Sequence, residues 1–383
     1  MSPEQAARIH ARLLTLDTHL DTPLMLMRPG FDLGARHDPL ADASQVDLPR
    51  LRQGGLDAGF WAVYVSQGNL TPEASQAAAE RAERIFARIR DTVAAHPDDL
   101  ALATSPAEVR TAVEAGKHAV LIGVENGNSL AGDPRRVWRF RDLGARYIGL
   151  VHSRNNELGD SATDAQELHG GLSELGQQMV REMNRAGIMV DVSHASDKTF
   201  WDMLETSSAP VIASHSSARA VYDHPRNLTD DMLRAIADSG GVVQVNSLSG
   251  YLADLEISEG RRKAMAEMGR AMVEAREAGD DSMEEFWQIM GKANVEYPPP
   301  LATVADVADH IDHMVSIMGI DHVGFGADFD GGGGVEGMYD ASEIGNLTLE
   351  LLRRGYSEED LARIWSGNLL RVMAEVQALA SSG

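Results

Sequence analysis

Eight short apolar runs, separated by helix-like patterns, recur along nearly the whole chain and leave few folds open to it. They are LLTLDTHLD (13–21), GLDAGFWAVYVSQ (55–67), KHAVLIGVENG (117–127), ARYIGLVHS (145–153), GIMVDVSH (187–194), APVIASHS (209–216), GGVVQVNSL (240–248) and IDHVGFGADFDG (320–331). Near-continuous apolar strands are buried on both faces, as in a parallel sheet, and parallel neighbours need a helical crossover. Eight such units in 383 residues fit a (β/α)8 TIM-type barrel better than a doubly wound sheet, which has fewer strands. The 43% hydrophobic content suffices for a core of that size. The chain reads as one barrel domain over 1–383.

One segment breaks the rhythm. Between the seventh run and a helix starting near Thr303 lie about fifty residues, 251–300, helical in pattern, rich in Met, Glu and Arg, and ending in YPPP. A connection that long is expected to be a functional lid or an oligomer contact, which leaves room for a homodimer. Its methionines read as ordinary packing.

Composition narrows the chemistry. A formal charge of −24 argues against nucleic-acid backbones as partners, since these require basic patches. There is no cysteine, so disulfides, thiolate ligands and a cysteine nucleophile are out, and any metal must sit on His, Asp and Glu. The start MSPEQAARIHARLLTL lacks a basic segment followed by an apolar one. No apolar run approaches the roughly 20 residues of a membrane span. The expectation is a cytoplasmic protein without membrane contact.

Polar groups gather where these runs end, which is where barrels carry their active sites. The stretch 187–216 reads strand, helix, strand, and each strand ends in a histidine, His194 and His215. His19 and Asp21 are two apart on the first run and share a face. Glu125 follows AVLIGV, where a buried charge needs a partner or a metal. His152 ends the fourth run, and Asp328 lies near the end of the eighth. Each alone has a structural explanation as a salt bridge or a hydrogen-bonded histidine. Seven ionisable groups at six tips do not. Ligands of oxygen and nitrogen suit Zn, Mn, Fe, Co or Ni, with zinc the default. Five would serve two divalent ions sharing a carboxylate: His19, Asp21 and Glu125 on one, Glu125, His194 and His215 on the other. His152 and Asp328 would then be free to act on the substrate. His10, His37, His96, His118, His169, His224, His310, His313 and His322 fall on helices, loops or strand starts and read as structural or exposed.

Arg226, in DHPRN after the sixth run, is the basic group expected near the site, able to grip a carboxylate through two parallel hydrogen bonds. A loop salt bridge with Asp223 or Asp230 is the competing account, and Arg219 the competing arginine. The glycine run 331–334 lacks the Lys-Ser/Thr ending of a phosphate loop and reads as room for the chain to turn over the pocket.

DTHLDTP, GVENGNS, VDVSHAS, APVIASHSSARAVYDHPRN, GGVVQVN, HIDHMVSIMGIDHVGFGADFDG and IWSGNLLRV together closely resemble the renal (membrane) dipeptidases, peptidase family M19 of the amidohydrolase superfamily. The resemblance runs from about residue 14 to 372. It implies a binuclear zinc site bridged by Glu125, substrate contacts from His152 and Arg226, and proton transfer by Asp328. The implied reaction is attack of a zinc-bridging hydroxide on a dipeptide with a free C-terminal carboxylate, D-residues at that position being left open. Thr18 and Leu20 stand where family members often have Gly and Asn, and Asn126 and Asn128 follow the glutamate where glycine-rich and histidine variants are common. Leu20 should point away from the metals, whereas the asparagines bear on substrate preference. The rival readings are a hydrolase of another small amide or lactone, and a non-catalytic metal-binding barrel.

Overall fold

In the computed structural model, which describes residues 2–380, the apolar runs form one all-parallel sheet. Its strands are β1 (Leu16–Leu20), β2 (Ala58–Tyr64), β3 (Leu100–Leu102), β4 (His118–Glu125), β5 (Ala145–Gly149), β6 (Met189–Asp191), β7 (Val211–Ala213), β8 (Val242–Asn246) and β9 (Val323–Gly326). Their hydrogen-bonded order is β1-β2-β4-β5-β6-β7-β8-β9. A parallel bridge between Leu20 and Phe329 joins β1 to the chain leaving β9. The Asp21 N–H donates to the Phe329 carbonyl at 2.8 Å, and the Asp328 N–H to the His19 carbonyl at 3.0 Å. This ring, with helices between its strands, is the TIM-type (β/α)8 barrel that the alternation predicts.

Two features differ from the sequence reading. Eight runs were expected, and β3 is a ninth strand, paired with the first residues of β4. It is only three residues long and ends on an exposed Leu102, too little for an apolar signal. Because β2 occupies one edge of β4, β3 shares the other edge with β5, which pairs only from Ile122 onward. The strands also stop short of the histidines. His152, His194, His215 and Asp328 lie on loops just past β5, β6, β7 and β9. For His194 (φ 69°) and Asp328 (φ 64°) the reason is conformational, since a left-handed residue cannot continue a strand.

The helices follow from local sequence. The one at Pro72–Ala95 starts with the Thr71 side chain accepting from the Ala74 N–H and with proline in its first turn. It buries Ala78, Ala82, Ile85, Phe86, Ile89 and Val93, the three-and-four spacing of a face laid on a sheet. Between β8 and β9 the long connection forms helices Glu259–Ala278 and Glu284–Glu296. Met268, Met283, Phe286 and Trp287 from this pair join Met25 and Ala43 in an apolar cluster separate from the main core. Asp281, between the two helices, takes Arg81 at 3.1 Å and Arg84 at 2.6 Å. Among the described residues no helix is long and apolar enough to cross a membrane.

His118 opens β4 fully inside the protein. Its Nδ1 lies 2.9 Å from the Leu56 carbonyl, its Nε2 has no partner among the described residues, and burial pushes the imidazole down to about 4. A histidine of the unfolded chain takes up its proton near pH 6.5. The folded state therefore binds fewer protons between these values. The contribution is whole above about pH 6.5 and lost as pH falls toward 4, about 3 kcal/mol at most. His118→Asn, which keeps a donor for Leu56, should flatten this acid limb in urea midpoints measured from pH 6.5 to 4.5. An unchanged slope would assign it to other groups.

Candidate active site

Barrel closure assembles the site, because β1 and the end of β9 meet at the seam. The register of β1 shifts between Asp17 and Leu20, and beyond the shift His19 and Asp21 turn together toward Glu125. Deep in the barrel, Asp17 Oδ1 accepts from the His19 N–H at 3.0 Å and the Ala327 N–H at 2.9 Å, tying β1 to β9. Above it, His19 Nε2 lies 3.5 Å from Asp21 Oδ2 and 3.6 Å from Glu125 Oε2. The other glutamate oxygen, Oε1, lies 2.9 Å from His194 Nε2, 3.5 Å from His215 Nε2 and 3.7 Å from His152 Nε2. His194 and His215 bring their Nε2 atoms within 2.8 Å of each other. Asp328 joins His19 and Asp21 in a third group of facing ligand atoms. All seven residues singled out at the run ends thus come together in one cluster of facing ligand atoms.

Supporting residues fix which nitrogen faces inward. Tyr147 Oη lies 2.9 Å from His19 Nδ1 and donates to the Thr18 carbonyl at 3.2 Å, which holds the ring with Nε2 turned toward the carboxylates. Gly123 makes this possible, for a Cβ there would collide with the Tyr147 ring. Ser214 Oγ donates to Asp191 Oδ2 at 2.6 Å and lies 2.8 Å from His215 Nδ1, fixing His215 the same way. None of Tyr147, Ser214 or Asp191 emerged from the sequence. The repeated Ser-His pairs, Ser193–His194 and Ser214–His215, were the available signal for one of them.

The charges are consistent with a cation site. Although burial opposes it, His152 and His19 hold the Glu125 carboxyl well below its usual range. Burial, then Arg226 and neighbouring imidazoles, push His194 and His215 well down, toward the neutral form that ligates. Burial, with Asp21 and Glu125 adding to it, drives Asp328 well up, while its Oδ2 accepts from Asn246 Nδ2 at 3.3 Å. Buried His19 Nε2 and Asp21 Oδ1 lack hydrogen-bond partners among the described residues. Converging lone pairs left unsatisfied within the protein, all nitrogen and oxygen, fit divalent metal ions.

The two arginines separate clearly. Arg219 is spent on Asp197, with two bonds of 2.7 Å. Arg226, only 3% exposed, has no carboxylate within salt-bridge distance among the described residues. It donates to the His215 carbonyl at 3.0 Å and to Ser216 Oγ at 3.3 Å, and its guanidinium lies 5.5 Å from the Tyr251 ring centre. Asp230 is engaged by His313 at 2.7 Å instead. The glycine run is demanded by contact as much as by turning: a Cβ on Gly331 would collide with the Asp21 and Asp328 carboxylates.

The site opens into a cavity of about 600 Å³ at the C-terminal mouth of the barrel, reached by both helices of the insertion. His152 and Tyr64, with rings 4.8 Å apart, form part of its floor. The model of the membrane dipeptidase family (peptidase family M19) matches residues 3–382. The chain belongs to that family. It is therefore a dipeptidase-family metallopeptidase, and it is similar to the dipeptidase tcpJ of Claviceps purpurea (strain 20.1), 32% identical over 92% of this chain and 74% of that protein. The crystal structure of the probable dipeptidase PvdM from Pseudomonas aeruginosa superimposes with a TM-score of 0.84 at 31% identity, covering 99% of both chains. A metallo peptidase from Rhodobacter sphaeroides, liganded with a phosphinate mimic of the dipeptide L-Ala-D-Ala, gives 0.74 at 25% identity over 95% of this chain and 99% of that one.

In this M19 chain, Asp191→Asn should weaken retention of one metal ion by about 10- to 100-fold, the usual cost of losing such an outer partner. Competition with a chelator reads it directly. Retention equal to wild type would make the Asp191–Ser214–His215 chain purely structural.

Proposed function

We propose that this chain is a binuclear zinc dipeptidase acting on dipeptides with a free C-terminal carboxylate. The observation that supports this most is the Glu125 carboxylate, whose Oε2 faces His19 while Oε1 faces His194 and His215. In this reading His19, Asp21 and Glu125 hold one ion, and Glu125, His194 and His215 the other. A sulfur-free set of imidazoles and carboxylates suits zinc. Bound there, the ions would supply a water acidic enough to give a hydroxide nucleophile near neutral pH and would polarise the peptide carbonyl.

The remaining work falls to the protein. Asp328 accepts the proton of the attacking water and returns it to the leaving nitrogen, a poor leaving group unless protonated. Its raised proton affinity suits a group that must hold a proton between two steps, and Asn246 orients it. His152, kept neutral by burial and Arg226 despite Glu125, presents Nε2 at the floor of the cavity and donates to the carbonyl oxygen as negative charge builds there. Arg226, a buried cation without a carboxylate, holds the C-terminal carboxylate of the substrate, which confines activity to short peptides. The L-Ala-D-Ala mimic in the Rhodobacter sphaeroides relative extends the proposed range to D-residues at the C-terminal position. The insertion, covering 251–300, acts as the lid of this pocket.

Asp328→Asn preserves shape and hydrogen bonding but removes the base. It should keep both metals and bind dipeptide, while kcat falls by about 10²–10⁴-fold. Near-normal turnover would remove the catalytic role from Asp328. Loss of thermal stability with kcat intact would make it a residue that stiffens the glycine turn.

A further inference from the structure

We infer that Arg261, on the lid, forms an anion subsite in the cavity wall and gives the enzyme a preference for dipeptides carrying an acidic side chain. This rests on the dipeptidase reading above and names its substrate class.

Arg261 lies in the first turn of helix Glu259–Ala278, half-buried, and it is the only lysine or arginine among the described residues lining the cavity. Much of the wall around it is apolar, including Met265, Met272, Phe286, Trp287 and Met290. Its one hydrogen bond to a partner is Nη1 to Asn294 Oδ1 at 2.7 Å. Asn294, 5% exposed, is oriented for this by its own amide, which donates to the Leu40 carbonyl at 3.3 Å. Tyr339 approaches from the chain beyond β9, and Asp254 also lines the cavity, but no carboxylate among the described residues comes within salt-bridge distance of the guanidinium.

Several other arginines withdrawn from water are treated differently. Arg50 pairs with Asp47 and Asp340, and Arg354 with Asp309, Asp312 and Glu350. Arg146, without a carboxylate, spends its fork on three backbone carbonyls. Arg261 has a single neutral acceptor, and burial lowers its proton affinity. A guanidinium in that position gains most from a carboxylate, which accepts two parallel N–H bonds and cancels the charge. The metal-site carboxylates cannot serve, being committed to imidazoles on the floor. A carboxylate brought in on a substrate side chain would meet that need.

The test compares kcat/KM of the metal-loaded full chain on two matched pairs, Ala-Glu against Ala-Gln and Glu-Ala against Gln-Ala, with Ala-Ala as reference. Wild type should prefer the Glu member of one pair by about ten- to a hundredfold, the effect of one charge-assisted contact. Arg261→Met should bring that ratio close to one, Arg261→Lys should retain part of it, and Asn294→Ala should lower it. Each ratio is taken within one preparation, so partial misfolding or metal loss cancels. No Glu preference at either position in a wild type that cleaves Ala-Ala would overturn the subsite alone, as would a preference that survives Arg261→Met. Failure to cleave any dipeptide would instead overturn the dipeptidase reading, and the subsite with it.

Discussion

A carboxylate buried among four imidazoles is the interaction on which the rest of this structure depends. Glu125 ends β4, only 4% exposed, in register with Tyr64 on β2 and Gly149 on β5. A lone carboxylate in that position would be costly by several kcal/mol. It is tolerable because the closed barrel brings His19, His152, His194 and His215 to it from four other strands. Closure also sets Asp328 against His19 and Asp21 through the seam bonds. The fold and the site are in this sense one construction: opening the ring between β1 and β9 would strand the carboxylate.

Holding so many polar groups in one geometry requires a supporting layer and some strain. Tyr147 and the Ser214–Asp191 pair set the two histidines whose Nε2 atoms must face inward. Asn126, His194 and Asp328 all take left-handed backbone conformations, at φ 77°, 69° and 64°. Such residues carry of order 1–3 kcal/mol each and cluster where function demands a particular direction. All three lie next to or within the site, where the surrounding hydrogen bonds over-determine them.

The fold and the inner ring of residues were legible in the sequence because both are local signals. Apolar runs and the histidines at their ends are read within eight or ten residues. What was not legible depends on contacts across the barrel. Tyr147 looks like an ordinary strand residue until Gly123 on the neighbouring strand gives its ring passage to His19. Arg226 and Arg219 could be told apart only by where Asp197 lies, at the start of the helix Asp197–Thr206. β3 was too short to register, and the left-handed turns that end β6 and β9 early have no glycine at His194 or Asp328 to announce them. The insertion read as helical, but its sequence did not say that Arg261 faces the cavity.

In the proposed site one carboxylate, Glu125, serves two metal ions. The most direct measurement is a zinc titration of metal-depleted protein, following bound metal and dipeptide turnover together, for wild type and Glu125→Gln. Wild type should bind two ions per chain and reach full turnover only with both. An amide at position 125 should weaken both sites together, because it offers one oxygen and no charge. Full turnover with one ion bound, or a Glu125→Gln protein that holds two ions as tightly as wild type, would contradict the shared carboxylate.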